Sequence, residues 1–151
     1  MNLSLVSQKP SSPTTLGVLA ALRAASEESD YVTEVRVAQP QQWQPSKDEA
    51  AILLLEEEGA AWPVPLWPAG GSALGLPVLP LLVHRQYEHT PQGPDVRDPH
   101  FYFVSNGILL DEAELADPAC SLVLKSKFES YFPLLSRLIL LRQRQPGVLS
   151  S

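Results

Sequence analysis

The sequence is short of several things, and each absence narrows what the chain can be. It holds a single cysteine, Cys120, so no disulfide within the chain and no cysteine-based zinc site can form. A reducing cytoplasm is the expected setting. Asp117 lies close before Cys120, and a neighbouring carboxylate raises a thiol pKa rather than activating it. Long apolar runs are also missing. Leu138–Leu141 is the longest near the C-terminus and falls far short of the ~20 residues a spanning helix needs. The N-terminus has no basic region leading into a long apolar run and reads as no signal peptide. No Gly-x-Ser-x-Gly and no His-x-x-x-His occurs, and Gly70-Gly71-Ser72 has neither the lysine of a phosphate loop nor the spacing of a dinucleotide fold. No cofactor and no catalytic residue is therefore implied. With a pI near 5.0, the body of the chain is unsuited to nucleic acid.

Acidic residues are scarce in one region only. From Ser121 to Ser151, Glu129 stands alone against Lys125, Lys127, Arg137, Arg142 and Arg144, whereas Met1–Cys120 carries sixteen Asp/Glu against six Lys/Arg. A basic, apolar C-terminal segment on an acidic body must dock on that body, on an acidic partner or on an anionic surface.

Proline is abundant instead. The 151 residues are the size of one domain, and 15 prolines argue for short elements joined by stiff loops rather than a helical bundle. The expected division is an N-terminal arm or short edge strand over residues 1–12, a single α+β domain over 13–145 and a tail over 146–151. Ser12-Pro13 supplies helix-start chemistry before Leu16, Leu19, Ala20 and Leu22 recur at helical spacing, which predicts a helix over 13–26. Tyr31–Val37 alternates and is rich in β-branched residues, the pattern of a strand with one wet face. Ala51–Leu55, closed by Glu56-Glu57-Glu58-Gly59, pairs in this reading as a hairpin with the proline-interrupted Trp62–Trp67. Leu81–Glu88 is another strand. Phe101–Ser105, Asn106-Gly107 and Ile108–Leu110 form the strongest hairpin signal, because a type I′ turn favours Asn-Gly. Ile52–Glu58 also echoes Ile108–Glu114, as two strands of one sheet ending in acidic turns would do without duplication.

Asp111–Asp117 has the composition for one helical turn before Pro118. Beyond it Leu124, Phe128, Tyr131, Phe132, Leu135, Leu138 and Ile139 form one apolar stripe at helical spacing. Pro133 either kinks a single long helix or stands in the first turn of a second one over 130–143. The alternation of Ser121–Phe128 favours the second version, with Leu122–Phe128 as a strand. The expected fold is therefore α+β: an N-terminal helix, an antiparallel sheet of about four to six strands built from hairpins, and a C-terminal amphipathic helix.

Two regions compete for function. His84, His89 and His100 lie near Glu88, Asp95 and Asp98, which suggests a small metal-dependent or hydrolytic enzyme. Against this, on a strand His84 and Glu88 share a face that His89 does not. The second region is apolar and basic. Proline-rich Trp62–Pro68 suits an extended docking edge anchored by Trp62 and Trp67, while Trp43, between Gln residues, is the tryptophan expected to be exposed. Leu134, Leu140 and Leu141 widen the C-terminal stripe beyond what a single sheet face would cover. The leading expectation is a non-catalytic protein-interaction subunit, an adaptor, assembly factor or chaperone-like binder. It would meet a protein partner or a second copy through Trp62, Trp67, Leu134, Arg137, Leu138, Leu141, Arg142 and Arg144, the arginines at the rim.

Overall fold

A computed structural model describes residues 1–39, 43, 46, 48–56, 76–84, 101–103 and 108–144. Their elements run β1 (Asn2–Ser7), α1 (Pro13–Glu27), β2 (Glu34–Ala38), β3 (Glu49–Glu56), β4 (Leu76–His84), β5 (Phe101–Phe103), β6 (Ile108–Asp111), a 3-10 helix (Glu112–Ala116) and α2 (Pro118–Gln143). Helices and strands mix as expected, but the sheet does not.

All six strands belong to one sheet in the order β2-β1-β3-β4-β5, with β6 also paired to β4, and every pairing is parallel. This corrects the antiparallel, hairpin-built sheet. The physical reason lies in β3, where Ala50, Ala51, Ile52, Leu53 and Leu54 are all buried. A strand covered on both faces reads as an unbroken apolar run, which is the habit of parallel sheets. Two parallel neighbours also need a crossover rather than a tight turn, and α1 provides it between β1 and β2. The first twelve residues, read as an arm or edge strand, hold β1 in the sheet interior between β2 and β3.

The Asn106-Gly107 hairpin is overturned by the same register. Leu76–Val78 pair with Phe101–Phe103, and Leu81–His84 pair with Ile108–Asp111, so β5 and β6 run in the same direction along one side of β4. Pro80, which has no N–H to donate, falls where the pairing passes from β5 to β6. The expected partner of Ala51–Leu55, Trp62–Trp67, lies outside the described residues.

Alternation within each strand divides the core into two layers. Leu3, Leu5, Ile52, Leu54, Leu79, Leu81, Val83, Ile108 and Leu110 face both helices, and Val6, Ala51, Leu53, Leu76 and Val78 face the other side, where Trp43 packs. Ser12 starts α1, its Oγ accepting from the Thr15 amide at 3.1 Å with Pro13 at the first helical position. That cap satisfies a backbone donor that the helix itself cannot.

Asp117 starts α2 in the same manner, its Oδ1 accepting from the Ala119 amide at 2.9 Å. The helix then continues for 26 residues through Pro133, which corrects the strand over Leu122–Phe128. Pro133 is tolerated because it lies on the exposed side, where the Glu129 carbonyl left without its helical donor can be reached by water.

Candidate functional site

The side of α2 turned away from the sheet is the most unusual surface among the described residues. The inner side is conventional: Leu124, Phe128, Phe132, Leu135 and Ile139 are buried. On the outer side Leu122 is 68% exposed, Val123 52%, Leu134 41%, Leu140 50% and Leu141 43%. These are five of the seven large apolar side chains that the described surface exposes. Such residues scattered singly need no explanation, but here they are gathered on one helix into an exposed apolar patch.

Their spacing adds order. Val123, Lys127, Ser130, Leu134, Arg137, Leu141 and Arg144 are all exposed and follow one another by alternate steps of four and three. That is the repeat by which one helix offers a seam to another. At about 100° per residue, Arg137 and Arg144 fall between the line of Val123, Leu134 and Leu141 and a second line of Leu122 and Leu140. No carboxylate pairs with Lys127, Arg137 or Arg144 among the described residues.

The body holds α2 at both ends. Near its start, Lys125 Nζ lies 2.8 Å from Glu28 Oε2 beyond the end of α1 and 3.8 Å from Glu129 Oε1. The hydrogen bond from Lys125, and then its charge, holds the Glu28 carboxyl below its usual range, and the same contact raises Lys125. At the far end Arg142 is only 4% exposed and its Nη1 donates to the Ser46 carbonyl at 3.4 Å. Burial pulls the Arg142 guanidinium below its usual range, opposed by the charge of Glu49.

Glu49 is itself fully buried, and both its oxygens are used. Oε1 accepts from Arg36 Nη2 at 2.7 Å and Oε2 from Trp43 Nε1 at 2.8 Å. Charge-assisted bonds of this length are what make a buried carboxylate tolerable. This cluster joins β2, β3 and Trp43, and Arg142 holds the end of α2 beside it through the Ser46 carbonyl.

The expected partner-binding residues separate accordingly. Leu134, Arg137, Leu141 and Arg144 share the exposed face, and Leu138 is half-buried at its margin. Arg142, expected at the rim, is buried, because three residues beyond Ile139 it returns to the inner side and reaches toward Ser46 and Glu49. Trp43, expected to be exposed, is 2% exposed, because Glu49 gives its indole N–H a buried acceptor. Trp62 and Trp67 lie outside the described residues. Val123 and Lys127 were not anticipated, and the four-three spacing was the signal that could have found them.

The opposite end of the sheet carries polar residues. Ser7 Oγ and Thr15 Oγ1 lie 3.0 Å apart, Thr15 Oγ1 donates to the Lys9 carbonyl at 2.8 Å, and Ser12 Oγ lies 2.9 Å from Thr15 Oγ1. The turn from β1 into α1 thus spends its hydroxyls on itself. At the same edge β3 ends at Glu56, β4 at His84 and β6 at Asp111, with His84 and Asp111 register partners and Glu56 beside Val83. His89 and His100 lie outside the described residues. Cys120 is partly buried, and burial, then Glu114 and Asp117, push its thiol up, which leaves it a poor nucleophile at neutral pH.

No protein family, curated protein or solved structure matches the chain. Among the described residues no helix is long and apolar enough to cross a membrane, and no group of three His, Cys, Asp or Glu is placed to hold a metal ion.

Proposed function

We propose that the chain is a non-catalytic protein-interaction subunit that docks through the outer face of α2. One observation carries the reading: an ordered apolar and basic seam lies exposed along a helix whose inner side is already packed and whose ends are already fastened. Association through it would remove apolar surface from water, with the arginines setting orientation and encounter rate more than affinity.

The test is site-specific photo-crosslinking in the native host. A photoreactive residue at Leu134 or Ser130 should yield a discrete protein adduct, and one at Leu16, exposed on α1, should not. Leu141→Asp in the same chain should abolish the adduct while circular dichroism stays unchanged. Leu135→Asp places a charge among the buried residues and should unfold the domain. Equal labelling from α1 and α2, or adducts indifferent to Leu141→Asp, would overturn the reading.

The topology favours a second reading. In open parallel α/β sheets ligands bind outside the carboxyl ends of the strands, and that edge here carries Glu56, His84 and Asp111. A metal-dependent or hydrolytic site built there and on the 84–100 segment is the alternative, by analogy of fold alone. It requires stoichiometric metal in the purified protein, or turnover of a chromogenic ester, that is lost in His84→Gln and Asp111→Asn.

A further inference from the structure

We infer that the outer face of α2 receives an acidic amphipathic helix of a partner protein. The inference rests on the interaction reading above and adds the chemistry of the partner. The seam from Val123 to Arg144 extends about 32 Å at 1.5 Å per residue, which matches a partner helix of about three heptads. Its apolar members, Val123, Leu134 and Leu141, call for apolar residues opposite. Its charged members, Lys127, Arg137 and Arg144, are all basic and without partners among the described residues, so they call for Asp or Glu.

Two other occupants fit less well. A second copy meeting the first through the same face would set three cations against three cations with no acid in either seam, since a two-fold interface is self-complementary. An anionic membrane favours a helix whose apolar side is continuous and whose basic residues flank it. Here the order is reversed, with Arg137 and Arg144 between two apolar lines, so insertion would carry the charges into the acyl layer. A protein helix can place carboxylates against the arginines and leucines on either side of them.

The test uses the full chain and a fluorescent synthetic helical peptide of about three heptads with Leu and Glu on its facing positions, beside the same peptide with Lys for Glu. The acidic peptide should bind at least about ten-fold tighter than the basic one, a margin of about 1.4 kcal/mol, and should weaken with added salt. Leu134→Asp should reduce that binding by about ten-fold or more, in line with loss of a buried anchor. Arg137→Glu with Arg144→Glu should reverse the preference toward the Lys peptide. Circular dichroism must show all variants folded.

A wild-type chain that prefers neither peptide, or a charge-reversed variant that keeps the original preference, overturns the inference. So does tighter binding to phosphatidylserine vesicles than to the acidic peptide with the same loss in Leu134→Asp. Self-association of the unaltered chain that is lost in Leu134→Asp overturns the inference by assigning the face to a second copy, and leaves the broader interaction reading standing. Absence of both peptide binding and Leu134 crosslinks removes that reading as well.

Discussion

Replacing Glu49 by Gln puts the strongest structural claim at risk. The side chain keeps its size, so no cavity forms, and the whole effect comes from hydrogen bonding. The carboxylate is fully buried and accepts at both oxygens, from Arg36 Nη2 and from Trp43 Nε1. A carboxamide has one acceptor oxygen, and its NH2 group can only donate. Whichever way it turns, two donors face each other at one of the two contacts.

The less costly orientation keeps the oxygen on Trp43, whose indole is buried, and turns the NH2 toward Arg36, whose side chain is 48% exposed and can swing into water. This orientation loses one charged hydrogen bond, about 1.5–3 kcal/mol, and leaves a buried donor unsatisfied, about 1–3 kcal/mol. Partial relaxation brings the expected total to roughly 2–4 kcal/mol. At about 2–4 °C per kcal/mol for a chain of this size, the midpoint should fall by about 5–15 °C. Urea unfolding followed by tryptophan fluorescence and circular dichroism gives the free energy directly, and an unchanged m-value confirms that the native state alone is affected. If Glu49→Gln unfolds within about 0.5 kcal/mol of the parent, a surface-like value, the buried cluster does not join β2, β3 and Trp43 as argued.

Other perturbations probe the helices. Gly17→Ala should stabilise the protein by about 0.5–1 kcal/mol, because the position is an exposed helix interior and an added Cβ meets nothing within 4 Å; thermal denaturation checks it, and a lower midpoint would show a conformational need for glycine there. Lys125→Gln should lower the melting temperature at neutral pH and lose that difference on acidification. Glu28 has its carboxyl held down in the folded state, so its share of stability is present above its unfolded pKa and is lost as pH falls through the folded value. The raised Lys125 contributes below its unfolded pKa and loses that share at alkaline pH, so parent and variant should differ most between about pH 5 and about pH 10. A difference that persists undiminished at pH 2 would argue that the contact does not couple α1 to α2.

Local chemistry was legible at Ser12-Pro13, a helix start because a side-chain oxygen meets an amide three residues on. Asp117-Pro118 carries the same chemistry but reads as the end of a turn, with the last helix placed from 130. Strand direction is different. Ala51–Leu55 is an unbroken apolar run, the sequence mark of a strand covered on both faces, but the turn-like residues after it make it read as half of a hairpin, and which strands it meets is not written in the run itself. Asn106-Gly107 misled for the same reason. A dipeptide suited to a tight turn competes with the length of β4, whose nine residues offer β5 and β6 successive places on one side. Pro133 misled in the opposite way, since its helix-breaking cost in isolation is met in the fold by Phe128, Phe132 and Leu135, which pack the helix on either side of it.

The candidate face was partly legible because charge and apolar width survive in the sequence without the fold. Leu134, Arg137, Leu141 and Arg144 share the outer side whatever the sheet does, since helical spacing alone groups them. The same spacing, carried three residues past Ile139, puts Arg142 on the inner stripe, and its charge rather than its position makes it read as a rim residue. It is basic and close in sequence to the others, yet it is buried and donates to the Ser46 carbonyl, 96 residues earlier in the chain. Among the described residues the body takes up only part of this basic segment. Two of its cations are used within the fold, Lys125 on Glu28 and Arg142 on the Ser46 carbonyl. Lys127, Arg137 and Arg144 lie on the outer side of the same helix, where no carboxylate among the described residues pairs with them, and it is this unspent charge that the proposed acidic partner would meet.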